Sequence, residues 1–361
     1  MSKTPEISFR MGAGRYIQEY GAIDMLGEEA ERLSASRALV IGGKTALSLT
    51  KEKIEASLNK KGIATEYYVY TGFCNKAKNE AVANSIPNGA GYVIIGVGGG
   101  NVMDVAKHVA VLAGLPVINI PTSSATCAAY TPLSVCYTDD GRTEGTVHHK
   151  IEVNCVLADM DVLSSQPPRL MLSGIYDAIA KQYELYQRML GVDLNECDIG
   201  LVSSYHTSGF IFDFLTKNTD AALSDLKSGA RTKTLYDVIF VSIALTAVVS
   251  GLARGSNQTA IAHKVYECLR KLYPDTVRPC LHGELVALGL IVQKAYNGES
   301  DVNEFKERLA HHSIPTTLAA LSLDSDEAAR NLYGMILKSS AMAGTNEEEQ
   351  KRLEKSLRLI K

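Results

Sequence analysis

The stretch from Gly91 to Val109 constrains this chain more than any other. A short apolar run, Gly91-Tyr92-Val93-Ile94-Ile95, reads as a buried strand and enters Gly96, Gly98, Gly99 and Gly100 directly. Beyond them Val102, Val105, Ala106 and Val109 recur at helical spacing. Adjacent glycines between a strand and a helix leave no Cβ to hold a ligand away from the backbone N–H groups. The helix start adds unpaired N–H donors and a partial positive charge. That combination suits a pyrophosphate, although a plain strand-to-helix turn uses the same residues.

The neighbouring sequence alternates strands and helices. Residues 38–41 read as a strand closed by Gly42-Gly43, 45–58 as a helix, 65–70 as a strand, 75–86 as a helix, and 116–120 as a strand closed by Pro121-Thr122. Such alternation predicts a parallel sheet covered on both faces. Ligands of these sheets sit beyond the carboxyl ends of the strands, so Gly42-Gly43, the glycines at 98–100 and residues 121–126 are expected to line one crevice. From residues 164–168 onward the periodicity is helical, over 170–188, 197–216, 232–253, 259–272 and beyond Glu284. The expected organisation is an α/β dinucleotide-binding domain over 1–166 and an all-helical metal- and substrate-binding domain over 167–361.

Composition narrows the function classes. The 361 residues suffice for two cores, and the net charge of −3 gives no basic footprint for nucleic acid. Residues 238–253 are strongly apolar but carry Ser242, Thr246 and Ser250, and the run is too short to cross a bilayer. It reads as a buried helix, so no membrane partner is expected. The start, Met1-Ser2-Lys3-Thr4-Pro5, lacks the apolar stretch of a signal peptide. Seven scattered cysteines with no Cys-x-x-Cys pair point to a reduced, cytoplasmic protein.

Among eight histidines, His148-His149 and His311-His312 lie in polar surroundings and read as solvated, and His108 and His206 read as structural. His263 sits on an otherwise apolar helix, His282 opens another, and Asp177 lies on a third. One carboxylate and two imidazoles can hold a catalytic Zn²⁺ or Fe²⁺ with a position left open. Spacing alone does not single this set out; two half-buried histidines and a helix-capping aspartate account for the same residues.

Together these segments resemble the iron-containing (group III) alcohol dehydrogenase superfamily, on its glycerol dehydrogenase side, over nearly the whole chain. The resemblance rests on Gly96-Val97-Gly98-Gly99-Gly100 with Asp104 and Lys107 following, and on Pro121-Thr122-Ser123-Ser124-Ala125-Thr126 leading to Leu133-Ser134-Val135-Cys136-Tyr137-Thr138. Gly174-Ile175-Tyr176-Asp177, Ala262-His263 and His282-Gly283-Glu284 complete it. It implies a dehydroquinate synthase-like or glycerol dehydrogenase-like fold with the active site between the two domains. Asp177, His263 and His282 would bind one divalent metal, Zn²⁺ or Fe²⁺, and form the catalytic centre. Gly98, Gly99 and Gly100 would contact the pyrophosphate of NADP or NAD, and Thr122, Thr131, Leu133 and Tyr137 would line the cofactor site. Asp104 either fixes the glycine loop and the nearby ribose or is a first-turn carboxylate favoured by the helix dipole.

Three departures bear on specificity. Cys127 stands where glycerol dehydrogenases carry an aspartate near the substrate, and its surroundings look more like the hydroxycarboxylate dehydrogenase members, which act on 2-oxo acids. Gly43, followed by Lys44, stands where NAD-preferring members carry an acid, which permits a 2′-phosphate; an ordinary surface lysine is the plainer account of Lys44. Tyr266 replaces a second histidine at the substrate side. The resemblance implies an NAD(P)-linked oxidoreductase that moves a hydride between the nicotinamide and a small alcohol, polyol or 2-hydroxy acid/2-oxo acid, working as a homodimer or larger homo-oligomer. The rival readings are a dehydroquinate synthase-like or sn-glycerol-1-phosphate dehydrogenase-like enzyme, each needing a basic substrate pocket, and a non-catalytic dinucleotide-binding protein.

Overall fold

The structure is a computed structural model that describes residues 10–87, 91–193, 197–254 and 258–361; the expectation for Met1 to Pro5 lies outside them. The first part runs β1 (Tyr16–Glu19), α1 (Leu26–Arg32), β2 (Arg37–Gly42), α2 (Lys44–Asn59), β3 (Ala64–Val69), α3 (Lys76–Ser85), β4 (Tyr92–Gly98), α4 (Gly100–Ala113), β5 (Val117–Pro121), β6 (Leu133–Tyr137), β7 (Thr143–His148), β8 (Cys155–Asp159) and α5 (Met160–Leu163). Six of the strands form one sheet in the order β1-β8-β5-β4-β2-β3. Every pairing in it is parallel.

Both faces of this sheet are buried, which explains its apolar strands. Leu39, Ile41 and Ile94 pack with Val105 and Val109 on one face, while Val40, Val93 and Ile95 pack with Ile54 and Leu58 on the other. The chain places β3 on one side of β2, then builds β4, β5 and β8 on the other. The strand order therefore reverses between β2 and β4, and a crevice opens beyond their carboxyl ends. Gly42 lies opposite Val97 and Gly98 opposite Pro121, so the three predicted loops do end side by side.

The sequence reading missed four strands. β1 is a short, half-buried strand at the sheet edge, and β8 is a five-residue buried run with no alternation. β6 and β7 form an antiparallel hairpin set off from the main sheet. Their burial alternates, but polar residues occupy many of the inward positions.

Among the described residues no strand follows β8. The helices are α6 (Pro168–Met189), α7 (Ile199–Ser228), α8 (Lys233–Phe240), α9 (Thr246–Leu252), α10 (Ile261–Leu272), α11 (His282–Asn297), α12 (Val302–His311), α13 (Asp326–Leu337) and α14 (Glu347–Leu357). A π-turn at Val241–Leu245 joins α8 to α9. The resulting run, Lys233–Leu252, is long and apolar enough to cross a membrane, but most of it is buried inside the protein as a core helix.

Two glycines fix how the helices meet. A Cβ on Gly174 of α6 would lie 1.8 Å from the carbonyl oxygen of Ser124, and one on Gly283 of α11 would lie 1.8 Å from that of Ser173. Only glycine lets α6 touch the 122–126 segment and α11 touch α6 at these points. Asp177 lies one turn beyond Gly174, and His282 immediately precedes Gly283.

Candidate active site and metal centre

The glycine turn closes the carboxyl end of β4. Gly99 is the N-cap of α4, and no side chain caps that helix. The Val102 N–H donates to the Gly99 carbonyl at 3.0 Å, while the N–H groups of Gly100 and Asn101 precede any intrahelical acceptor. A Cβ on Gly99 would meet nothing nearer than Ser123 Oγ at 3.5 Å, so folding alone tolerates a side chain there. Gly100 differs, because its Cβ would lie 2.6 Å from Thr126 Oγ1. The Thr122 N–H donates to the Gly98 carbonyl at 2.9 Å and stitches the two loops together.

Asp104 and Lys107 prove to be internal fasteners. Lys107 is buried, and its ammonium donates to the carbonyls of Ala128 (2.6 Å), Thr131 (3.1 Å) and Leu133. It lies 2.9 Å from Asp104 Oδ1, while Asp104 Oδ2 accepts the Val135 N–H at 3.1 Å. Burial pushes the Asp104 carboxyl up, and Lys107 opposes that shift. The pair holds residues 128–135 against α4, so the contacts of Asp104 are with the protein itself. Within that segment the Thr131 hydroxyl is buried and has no hydrogen-bond partner among the described residues, a gap that a bound molecule can fill.

The three expected ligands converge. Asp177 comes from the middle of α6, His263 from the first turn of α10, and His282 from the first position of α11. Their donor atoms lie within 4.8 Å of one another. Asp177 Oδ1 is 3.2 Å from His263 Nε2 and 3.5 Å from His282 Nε2. A tetrahedral ion with ligand bonds of about 2 Å spaces its donors by about 3.3 Å, so these residues fit such an ion. Asp177 and His263 are buried, and the His282 side chain is 27% exposed, which leaves the set open on one side.

The surrounding charges act in two directions. Burial opposes ionisation of Asp177, but Lys181 and His282 hold its carboxyl well below the usual range, so it stays an anion. Lys181 Nζ lies 3.5 Å from Asp177 Oδ1 and 3.3 Å from His263 Nε2; its ammonium pairs with the carboxylate and works against a second cation at the same donors. Glu184 lies beneath His263. Its Oε2 is 2.6 Å from His263 Nδ1, and its Oε1 accepts the N–H groups of Ala260 (2.8 Å) and His263 (2.9 Å). A carboxylate that accepts the Nδ1 proton leaves Nε2 free as a ligand and fixes the ring.

Sequence reasoning missed Lys181 and Glu184, although a signal was present. Asp177, Lys181 and Glu184 recur at i, i+4 and i+7 on one face of an apolar helix. Gly174 and Gly283 appeared only as motif letters, and their reason is the close backbone approach.

The remaining candidates divide. The Cys127 thiol feels the charges of Asp177 and Lys181 at close range, and burial pushes it up to about 11, so it stays neutral. The Tyr266 ring packs edge-on against His282 with centroids 4.2 Å apart, and its hydroxyl is 2.9 Å from that of Tyr137. That contact ties the β6 strand to α10. Leu133 begins the same strand, half-buried. Gly43 is the N-cap of α2 with nothing within 4 Å of where a Cβ would be, and Lys44 is exposed beside it.

The reading of all four paired histidines as solvated needs correction. His148 and His311 are exposed, but His149 is buried with Nε2 2.8 Å from Ser134 Oγ, and burial pushes it down to about 3. His312 has a side chain only 4% exposed. Polar neighbours in sequence did not mean solvent, because each ring turns inward to one buried hydroxyl. His108 is buried beside Asn79, its Nδ1 3.1 Å from Asn79 Nδ2.

Comparison with known proteins identifies the family and the fold. The family model of iron-containing alcohol dehydrogenase matches residues 13–160. Hydroxycarboxylate dehydrogenase A of Escherichia coli (strain K12) is 32% identical over 323 residues, covering 88% of this chain and 86% of that protein. Glycerol dehydrogenase of Pseudomonas putida is 28% identical over 322 residues, covering 87% and 85%. The crystal structure of glycerol dehydrogenase from Schizosaccharomyces pombe superposes with a TM-score of 0.85 at 23% identity, over 99% of this chain and 91% of that one, and so shares its fold. The chain belongs to the iron-containing alcohol dehydrogenase family and is an oxidoreductase acting on alcohols or hydroxy acids.

Proposed function

We propose that this chain interconverts a small 2-hydroxy acid and its 2-oxo acid, with Asp177, His263 and His282 holding one divalent metal and the glycine turn holding NADP(H) or NAD(H). The observation that carries this reading is the meeting of the three donors at the 3.2 and 3.5 Å spacing an ion requires. When bound, the metal supplies a Lewis acid for the substrate oxygen, and the nicotinamide gives or takes the hydride. The residues themselves do the rest. Asp177 stays ionised as an anionic ligand, Glu184 orients His263, and Lys107 fixes the segment carrying Thr131 and Leu133. Burial keeps the Tyr266 phenol protonated, so it acts as a hydrogen-bonding wall linked to Tyr137.

One residue favours an acid over glycerol. Cys127 offers no charge and only a weak hydrogen bond, where a triol needs a strong acceptor. The relatives named hydroxycarboxylate dehydrogenase and glycerol dehydrogenase bracket this choice. The open space at Gly43 beside Lys44 favours NADP(H) being accepted at least as well as NAD(H). Measuring kcat/KM for short 2-oxo acids, aldehydes, 2-hydroxy acids and polyols with both cofactors tests the reading. A 2-oxo acid should be reduced most efficiently; a preference for glycerol over every acid would overturn it.

A further inference from the structure

Tyr176 and Asp177 are neighbours on α6 but point to different places. Asp177 enters the ligand set, whereas the Tyr176 hydroxyl lies 2.7 Å from His312 Nδ1. The other nitrogen of that ring, Nε2, is 2.8 Å from Asp220 Oδ1 on α7. His311 ends α12 beside it, the two imidazole centroids 5.3 Å apart. One nitrogen from each histidine and a carboxylate oxygen of Asp220 lie within 4.8 Å of one another. About ninety residues of chain separate Asp220 from the histidines, so the fold, not local sequence, brings this set together.

A cavity of about 510 Å³ adjoins the cluster, and Asp220, His311 and His312 line it together with Arg169, Lys227 and Glu284. Asp177, His263 and His282 take no part in that lining. The guanidinium of Arg169 is already matched by Glu284, at 2.5 and 2.7 Å, so the Lys227 ammonium is the cation of the lining that a bound metal would share the cavity with. Asp220 is held below the ordinary carboxylate range by its bond to His312 and remains an anion.

We infer that Asp220, His311 and His312 form a second divalent-cation site, suited to Zn²⁺, whose open coordination positions face this cavity. A carboxylate and two imidazoles are a complete three-residue donor set for that ion. Tyr176 supplies the outer oxygen that orients a ligating imidazole. In the neutral ring without metal, Nε2–H donates to Asp220 and Nδ1 accepts the tyrosine O–H. With Zn²⁺ on Nε2, the ring proton sits on Nδ1 and donates to the Tyr176 oxygen. The site changes the tautomer of His312 with no net loss of a proton, and it reverses one hydrogen bond next to Asp177.

Equilibrium dialysis of the full chain against Zn²⁺, with bound metal counted per chain, tests this. His282→Ala removes one donor from the catalytic set and should still bind one Zn²⁺ with a titratable affinity. Adding His311→Ala to that variant should weaken this binding at least about tenfold, or about 1.4 kcal/mol. Asp220→Asn, an exposed change that leaves both imidazoles in place, should weaken it likewise. Zinc binding in the His282→Ala protein that neither added change weakens, or no zinc binding in that protein, overturns the inference.

Discussion

The glycine turn and the Asp177–His263–His282 set are built on opposite plans, although one segment, residues 122–127, touches both. The turn is local. Strand, glycines and helix start are contiguous from β4 into α4, and on the proposed function the backbone would do the binding. The ligand set is assembled from three helices, and there side chains would do the binding. The turn is shaped by what is missing, since Gly99 has open space where a Cβ would be. The ligand set is shaped by what crowds in, since α6 reaches the segment and α11 only because Gly174 and Gly283 lack a side chain. A site made by absence tolerates no addition, and a site made by crowding tolerates no misplacement.

The largest effect should come from filling the absence. A Cβ at Gly99 would meet no protein atom nearer than 3.5 Å, so Gly99→Val is the probe, with its fold checked by circular dichroism. It should weaken dinucleotide binding on the order of a hundredfold, about 2.8 kcal/mol, because a branched side chain would occupy the pyrophosphate position. Titration of cofactor fluorescence reads this directly. An unchanged dissociation constant in a folded variant would mean that the loop is only a turn.

A smaller effect should follow from loosening the crowded side. Glu184→Gln keeps the size of the buried side chain but removes the charge that orients His263. Metal affinity should fall about 10- to 100-fold, the usual cost of losing such a partner. Chelator competition measures it, and an affinity equal to the wild type would show that His263 is oriented by packing alone.

How far each region was legible follows from the same contrast. The turn could be read because its spacing is fixed by secondary structure; β2, α2, β3, α3, α4 and β5 fall within about a residue of where periodicity placed them, while β4 runs on through Gly98 and narrows the turn. The ligand set could not be read from spacing, because residues 177, 263 and 282 meet only through helix packing; the family resemblance supplied it. Lys181 and Glu184 share a helix face with Asp177, but they are buried only because other helices pack over that face of α6, which no spacing within α6 announces. β8 was hidden because a short buried run shows no period. The Asp220–His311–His312 cluster was hidden because helix packing alone brings it together and because polar neighbours in sequence make both histidines read as solvated.

The smallest expected effect concerns the rim of the crevice. Gly43→Asp should shift preference toward NAD(H) by roughly tenfold, about 1.4 kcal/mol, because a carboxylate accepts ribose hydroxyl hydrogen bonds and repels a 2′-phosphate. The position is free of other contacts, so stability should not change. The ratio of kcat/KM for the two cofactors, in wild type and variant, decides it. Strict NAD(H) preference in the wild type would mean that another residue holds the ribose.

If Asp177, His263 and His282 hold the metal on which turnover depends, protein stripped by a chelator should be inactive. Supplying Zn²⁺ or Fe²⁺ should restore turnover in the wild type with one of the two ions, and with neither in His282→Ala treated the same way. Full activity in stripped wild-type protein would show that no such metal takes part.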